Sequence, residues 1–157
     1  DHAAHERRLR SHQELLHVRL RWRRRIEVGD AVADGELARL LLEYHTRPFD
    51  PASNNCAQFA AEWVRRATGE VIELPPVTEH MISREWIAEH GGLQALVAAR
   101  LGDPLASPAL AHRGDVGITD SPLGEALCVV VGPTIAAPNK NGLIYLRRAR
   151  LVTAWRI

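Results

Sequence analysis

Apolar residues recur at helical spacing through the first two thirds of the chain and gather into short β-branched runs in the last third. Residues 5–28 contain neither proline nor glycine and predict one helix. Its apolar positions form two lines rather than one. At about 100° per residue, Leu9, Leu16 and Leu20 fall on one line and Leu15, Val18, Trp22 and Ile26 on another, with arginines between. A surface helix of a lone domain usually presents one apolar face. Two lines point to packing on two sides, against the chain's own domain and against a partner. A long amphipathic arm with loose phasing is the plainer alternative.

Gly29 and Asp30 end that helix. Leu37, Leu40, Leu41 and Tyr44 predict a second helix over 35–45. Residues 46–55 hold Pro48, Pro51, Asp50, Ser53, Asn54 and Asn55, the composition of a loop. A third helix is predicted over 56–68, with Phe59, Ala60, Trp63, Val64 and Ala67 as one stripe. Ser53, Asn54 and Asn55 are its N-cap candidates and Gly69 its C-cap candidate. Residues 70–80 read as irregular around Pro75 and Pro76. Short helices are expected over 83–89 and 93–101, separated by Gly91 and Gly92, and 103–112 reads as loop.

From Arg113 the pattern is that of strands. They are expected over 116–119, 126–131, 134–137 and 143–146, the last two joined by a turn at Asn139, Lys140, Asn141 and Gly142. Residues 151–157 read as a fifth strand or a short helical turn. Helices first and a small antiparallel sheet after them is an α+β order rather than alternating βαβ. The length of 157 residues suits one domain. The expected division is a helical arm over 1–30 and a domain over 31–157.

Composition narrows the class. The chain is 46% apolar and 25% charged, the ordinary globular range. No apolar run is long enough to span a membrane, and the polar start lacks the pattern of a signal peptide. Residues 1–28 carry eight arginines against four acidic residues, a net +4 in a chain of net +1, so the remainder carries −3. Arg21, Arg23, Arg24 and Arg25 could contact phosphates. Leucine and tryptophan interleave with them, however, and the rest of the chain is acidic, so docking on an acidic protein is favoured over nucleic acid. Leu15, Val18, Trp22, Arg23, Arg24, Arg25 and Ile26 are the interface candidates. Trp22 and Trp155 are candidate anchors.

The two cysteines, Cys56 and Cys128, are too few for a disulfide framework. Neither has a Cys or His partner at zinc-ligand spacing, so no metal and no cofactor is expected. Cys128 falls inside the apolar strand and reads as buried. Cys56 falls at the start of an amphipathic helix, where unpaired N–H groups and the helix dipole favour a thiolate. It is the candidate nucleophile; a small residue packing the helix start is the alternative.

Pro48 and Phe49, the string Asn55, Cys56, Ala57, Gln58, Phe59, Ala60, then Trp63, Val64, Thr68 and Gly69 resemble the nucleophile helix of NlpC/P60-type cysteine peptidases. Arg113, Gly114, Asp115 and Val116 resemble the Gly-Asp-hydrophobic strand that follows the helical half in that family, and the run 126–131 ending at Gly132 its second strand. Gly91 to Leu96, Gly142 with Leu143, and Ala154 with Trp155 and Arg156 are similar to an uncharacterised branch of the superfamily, frequent among tail genes of phages and prophages. The resemblance covers about 36–157 and implies a papain-like fold, a Cys-bearing helix packed on an antiparallel sheet.

The resemblance also implies a histidine base at the start of the second strand, near position 126. Ala126 stands there, and no histidine follows His112. The third position, near 134–137, offers only Thr134. His112 is the candidate substitute base. His80 and His90 fall in the helical insertion, and His2, His5, His12 and His17 in the arm. Asp115 reads as a turn cap. The expectation is therefore a structural component of a phage or phage-derived tail, at the tip or hub, on a degenerate NlpC/P60-like fold. Other tail or virion proteins are its expected partners through the arm. Its place is the virion after assembly in the bacterial cytoplasm. The alternatives are an active thiol hydrolase on peptidoglycan stem peptides, using Cys56 and His112, and nucleic-acid binding through the arm.

Overall fold

The computed structural model describes residues 30–74, 84–121 and 124–157, and the statements below concern these. The expected helix over 5–28 and its interface residues lie outside the described residues, as do Pro75, Pro76, His80 and the side chain of Trp86. The chain divides into two compact units, Asp1–Gly35 and Glu36–Ile157. The second holds a helical half followed by a five-stranded antiparallel sheet, an α+β arrangement. Among the described residues no helix is long and apolar enough to cross a membrane.

Helix α1 (Asp30–Tyr44) begins five residues before the expected start at Gly35. Ala31, Val32, Ala33 and Asp34 continue the helix, and one interior glycine, a cost of about 1 kcal/mol, does not stop it. Helix α2 (Cys56–Thr68) has the expected bounds and buries Phe59, Ala60, Trp63 and Val64. Gly69 closes it in the left-handed conformation, donating its N–H to the Arg65 carbonyl. Helices α3 (Arg84–Glu89) and α4 (Leu93–Leu101) follow, then a single turn at Pro108–Leu110 within the expected loop. Ser107 caps that turn, accepting from the Ala109 N–H.

The strands are β1 (Val116–Ser121), β2 (Gly124–Val130), β3 (Thr134–Asn139), β4 (Gly142–Arg147) and β5 (Leu151–Trp155), in the order β4-β3-β2-β1-β5. Three residues, Arg148–Arg150, join β4 to β5, the two outer strands. In a flat five-stranded sheet those strands would lie about 19 Å apart, but the chain from Arg147 to Leu151 reaches at most about 14 Å. The sheet therefore curls on itself. Its outer face carries Val116, Ile118, Leu127 and Val129 into the core made with Leu37, Leu40, Phe59 and Trp63. Its inner face carries Cys128, Val130, Ile135 and Ala137 into a second core with Ala111, Leu151 and Ala154. Burial on both faces is why 126–131 reads as an unbroken apolar run.

Charged side chains clamp α1 to α2. Arg66 donates to Glu43 of α1 at 2.6 Å and to Glu62 at 2.9 Å, and Arg65 also reaches Glu62. The β3–β4 turn is fixed by the loop after α1: the Leu143 N–H reaches the His45 carbonyl and the Phe49 N–H that of Asn139. Gly142 sits there with φ +125°, and a Cβ would lie 2.0 Å from the His45 oxygen.

Two outcomes follow. Gly142→Ala forces backbone apart in a conformation that L side chains rarely adopt, and is expected to cost about 3 kcal/mol or more in denaturant unfolding. Hydrogen bonds from Arg65 and Arg66 hold the Glu62 carboxyl at about 2, against an ordinary 4.5. A depressed carboxylate contributes its stability above the unfolded value and loses it as the pH falls to the folded one. Wild-type stability should thus fall between pH 4.5 and about 2. Glu62→Gln should show a shallower fall over that window when urea midpoints are compared.

Candidate functional site

The loop before α2 is built from its own polar side chains. Asp50 Oδ1 accepts the N–H groups of Ala52 and Ser53, which holds its carboxyl below the ordinary carboxylate range. Asn54 is buried and donates its amide to the carbonyls of Arg47 and Pro48. Of the three N-cap candidates, Asn55 is therefore the one left to cap α2. Its Oδ1 accepts from the Gln58 N–H at 2.8 Å, and Gln58 Oε1 accepts from the Asn55 N–H at 2.9 Å. This reciprocal capping box sets the first turn and, with it, the position of Cys56.

Cys56 is half-buried, against the outer face of the sheet. Its sulfur meets the N–H of Leu127 on β2, the N–H of Ala57 and its own. These donors favour a thiolate. Desolvation is the larger effect, and the thiol is pushed up from its ordinary value. Among the described residues no imidazole and no carboxylate acts on the sulfur. Ala126, next to Leu127, carries only a methyl group and cannot take a proton.

His112 is not brought to Cys56. It is exposed, and its N–H donates to Asp115 at 2.7 Å. Trp63, about 10 Å farther along the α2 axis than Cys56, donates its indole N–H to the Gly114 carbonyl at 2.7 Å. The Gly114 segment, and His112 with it, thus lies about two helical turns along α2 from Cys56. Thr134 opens β3, paired with Arg147 of β4. His90 follows α3, exposed, beside Glu73, Leu96 and Arg100. Cys128 is buried inside the curl, its thiol pushed up to about 12 by desolvation.

Asp115 is a turn cap and more. Its carboxylate, 2% exposed, takes the N–H groups of His112 and Ile157 and the guanidinium of Arg156. Arg156 reaches on to the Leu110 carbonyl, and Arg148 to those of Ala109 and Ala111. Sequence reasoning did not find these arginine contacts, which join segments 37 to 46 residues apart. It also gave no weight to His45, which is exposed at the end of α1. The capping box was legible, because Asn and Gln stand three apart at a helix start.

Asn55→Ala removes the side-chain half of that box, the Oδ1 that accepts from the Gln58 N–H, and leaves the backbone N–H that donates to Gln58. It should cost about 1–2 kcal/mol in chemical unfolding, and Asn55→Ser should recover most of it.

Comparison with curated proteins gives no match. A family model described as a domain of unknown function, DUF6950, matches residues 30–157. That span is most of the chain, and the protein belongs to the DUF6950 family.

Proposed function

We propose that the domain over 31–157 is a papain-like, NlpC/P60-type fold without a working general base. It serves as an assembly component of a phage or phage-derived tail, at the tip or hub. The observation that carries this reading is the surroundings of Cys56. The sulfur has helix-start and strand N–H groups around it, but desolvation raises its pKa. An enzyme of this kind needs an imidazole at the sulfur to take its proton. The resemblance puts that group near Ala126, and the structure has Leu127, the neighbour of Ala126, against the thiol. A thiol hydrolase acting on peptidoglycan stem peptides would need His112, which stands two residues before Gly114, itself held by Trp63 about two turns along α2 from Cys56. An α+β order with the cysteine helix packed on the sheet also supports the resemblance. The tail setting and the tail-protein partners of the arm rest on the resemblance.

The pH dependence of Cys56 alkylation tests this, with Cys128→Ser as background. The rate should keep rising through about pH 8.5, the free-thiol value, because burial raises the pKa. A plateau well below that pH would mean an activated thiolate and would restore the hydrolase. Cys56→Ala should leave folding and partner binding intact, and deletion of 1–28 should abolish binding to the tail partner.

A further inference from the structure

The curled sheet has two edge strands, β4 and β5, and they are finished differently. At β5 the Leu105 N–H donates to the Ala154 carbonyl at 2.8 Å, and the register with β1 shifts between Ile118 and Thr119, so a loop and an irregularity interrupt that edge. β4 has neither. It pairs with β3 residue for residue, from Thr134 with Arg147 to Asn139 with Gly142, and its sequence holds no proline and no charge before Arg147. Folded proteins usually guard a regular apolar edge of this kind, because it templates pairing with another chain.

Two hydrogen bonds show which way the backbone of β4 faces. The Leu143 N–H turns away from β3 to the His45 carbonyl at 3.2 Å. The Thr134 carbonyl, opposite Arg147, turns away from β4 and accepts from the Val131 N–H at 2.9 Å. Backbone groups alternate sides along an antiparallel strand, so those of Tyr145 and Arg147 face outward with Leu143. Among the described residues no donor or acceptor meets the Tyr145 N–H, the carbonyls of Leu143 and Tyr145 or the Arg147 N–H. The side chains are also incompletely covered. Tyr145 shares the outer face with Leu143 and is 41% exposed, and Ile144 and Leu146 are only partly buried against the inner core.

We propose that β4 pairs antiparallel with β4 of a second copy of the chain, about a two-fold axis at Tyr145. In that register each Tyr145 exchanges N–H and carbonyl with the other, and each Arg147 N–H reaches the Leu143 carbonyl opposite. On the inner face Ile144 stands against Leu146 of the second copy, an apolar pair on each side of the axis. On the outer face Arg147 stands against Leu143 and diagonal to Tyr145 of the second copy, within reach of its ring. No like charges meet. The ends of the strand match as well: His45 occupies the edge at Leu143, and beyond Arg147 the chain turns back, the Arg148 N–H donating to the Pro133 carbonyl. One copy's strand therefore stops where the other's edge is closed. This self-complementarity is what favours a second copy over an unrelated extended peptide. The contact is isologous and closes at a dimer. It goes beyond the assembly reading and does not depend on it.

Sedimentation velocity of the full chain tests it. The weight-average coefficient should rise about 1.5-fold with concentration and level off there, the size of a dimer. Position 145 lies opposite itself, so Tyr145→Glu and Tyr145→Lys should each stay monomeric, since each sets like charges face to face. An equimolar mixture of the two should form the dimer again. Tyr145→Phe should dimerise as the wild type does. Circular dichroism confirms that each variant is folded. A wild-type chain that stays monomeric overturns the proposal and leaves the edge to an extended segment of another protein. Growth beyond a dimer overturns it too, because a two-fold contact closes. Association of either charged variant at wild-type strength places the contact on another surface, the arm included, and overturns it. So does a mixture that fails to associate, which removes the two-fold register.

Discussion

The helical half is joined to the sheet through the contact between Trp63 and Gly114. The indole donates to the Gly114 carbonyl, and the same glycine donates its N–H to Val130. Gly114 holds φ +91°, and a Cβ there would lie 3.3 Å from the Trp63 ring. One residue without a side chain thus lets the edge of the largest side chain of α2 approach the start of β1. The indole is 1% exposed, so the hydrogen bond is made away from water, where leaving its donor unpaired would cost about 1–3 kcal/mol. The contact ties the middle of α2 to the path of the chain into Asp115 and β1.

The curl of the sheet is the second constraint. A short β4–β5 link draws the outer strands together, and the inner face fills with small and β-branched residues. The turn at Pro108–Leu110 packs beside β5, and carbonyls in and just after it take side-chain donors. Arg148 and Arg156 supply them, and Asp115 balances one of the two charges. These arginines act first as hydrogen-bond donors to backbone.

At Cys56 two effects oppose each other. A helix start and a strand N–H lower a thiol pKa, and removal from water raises it. With an imidazole alongside, the ion pair would tip the balance to the thiolate. Without one, desolvation wins. The same cradle of N–H groups that would serve a nucleophile then holds a neutral, half-buried thiol.

The sequence by itself determined α2, α3 and α4 to within a residue, because caps and periodicity are local. Cys56–Thr68 is bounded by Asn55 and Gly69, and Leu93–Leu101 by Gly92 and Gly102. It also determined that position 126 offers no proton acceptor, since that needs only the identity of one residue. Only the tertiary structure decided that Gly35 lies inside a helix, that the sheet curls, and that the Gly114 segment carrying His112 is held at Trp63, away from Cys56. Those outcomes depend on distances between residues far apart in the chain, such as Trp63 and Gly114. Such distances are set by packing after the local elements have formed, and no local pattern encodes them.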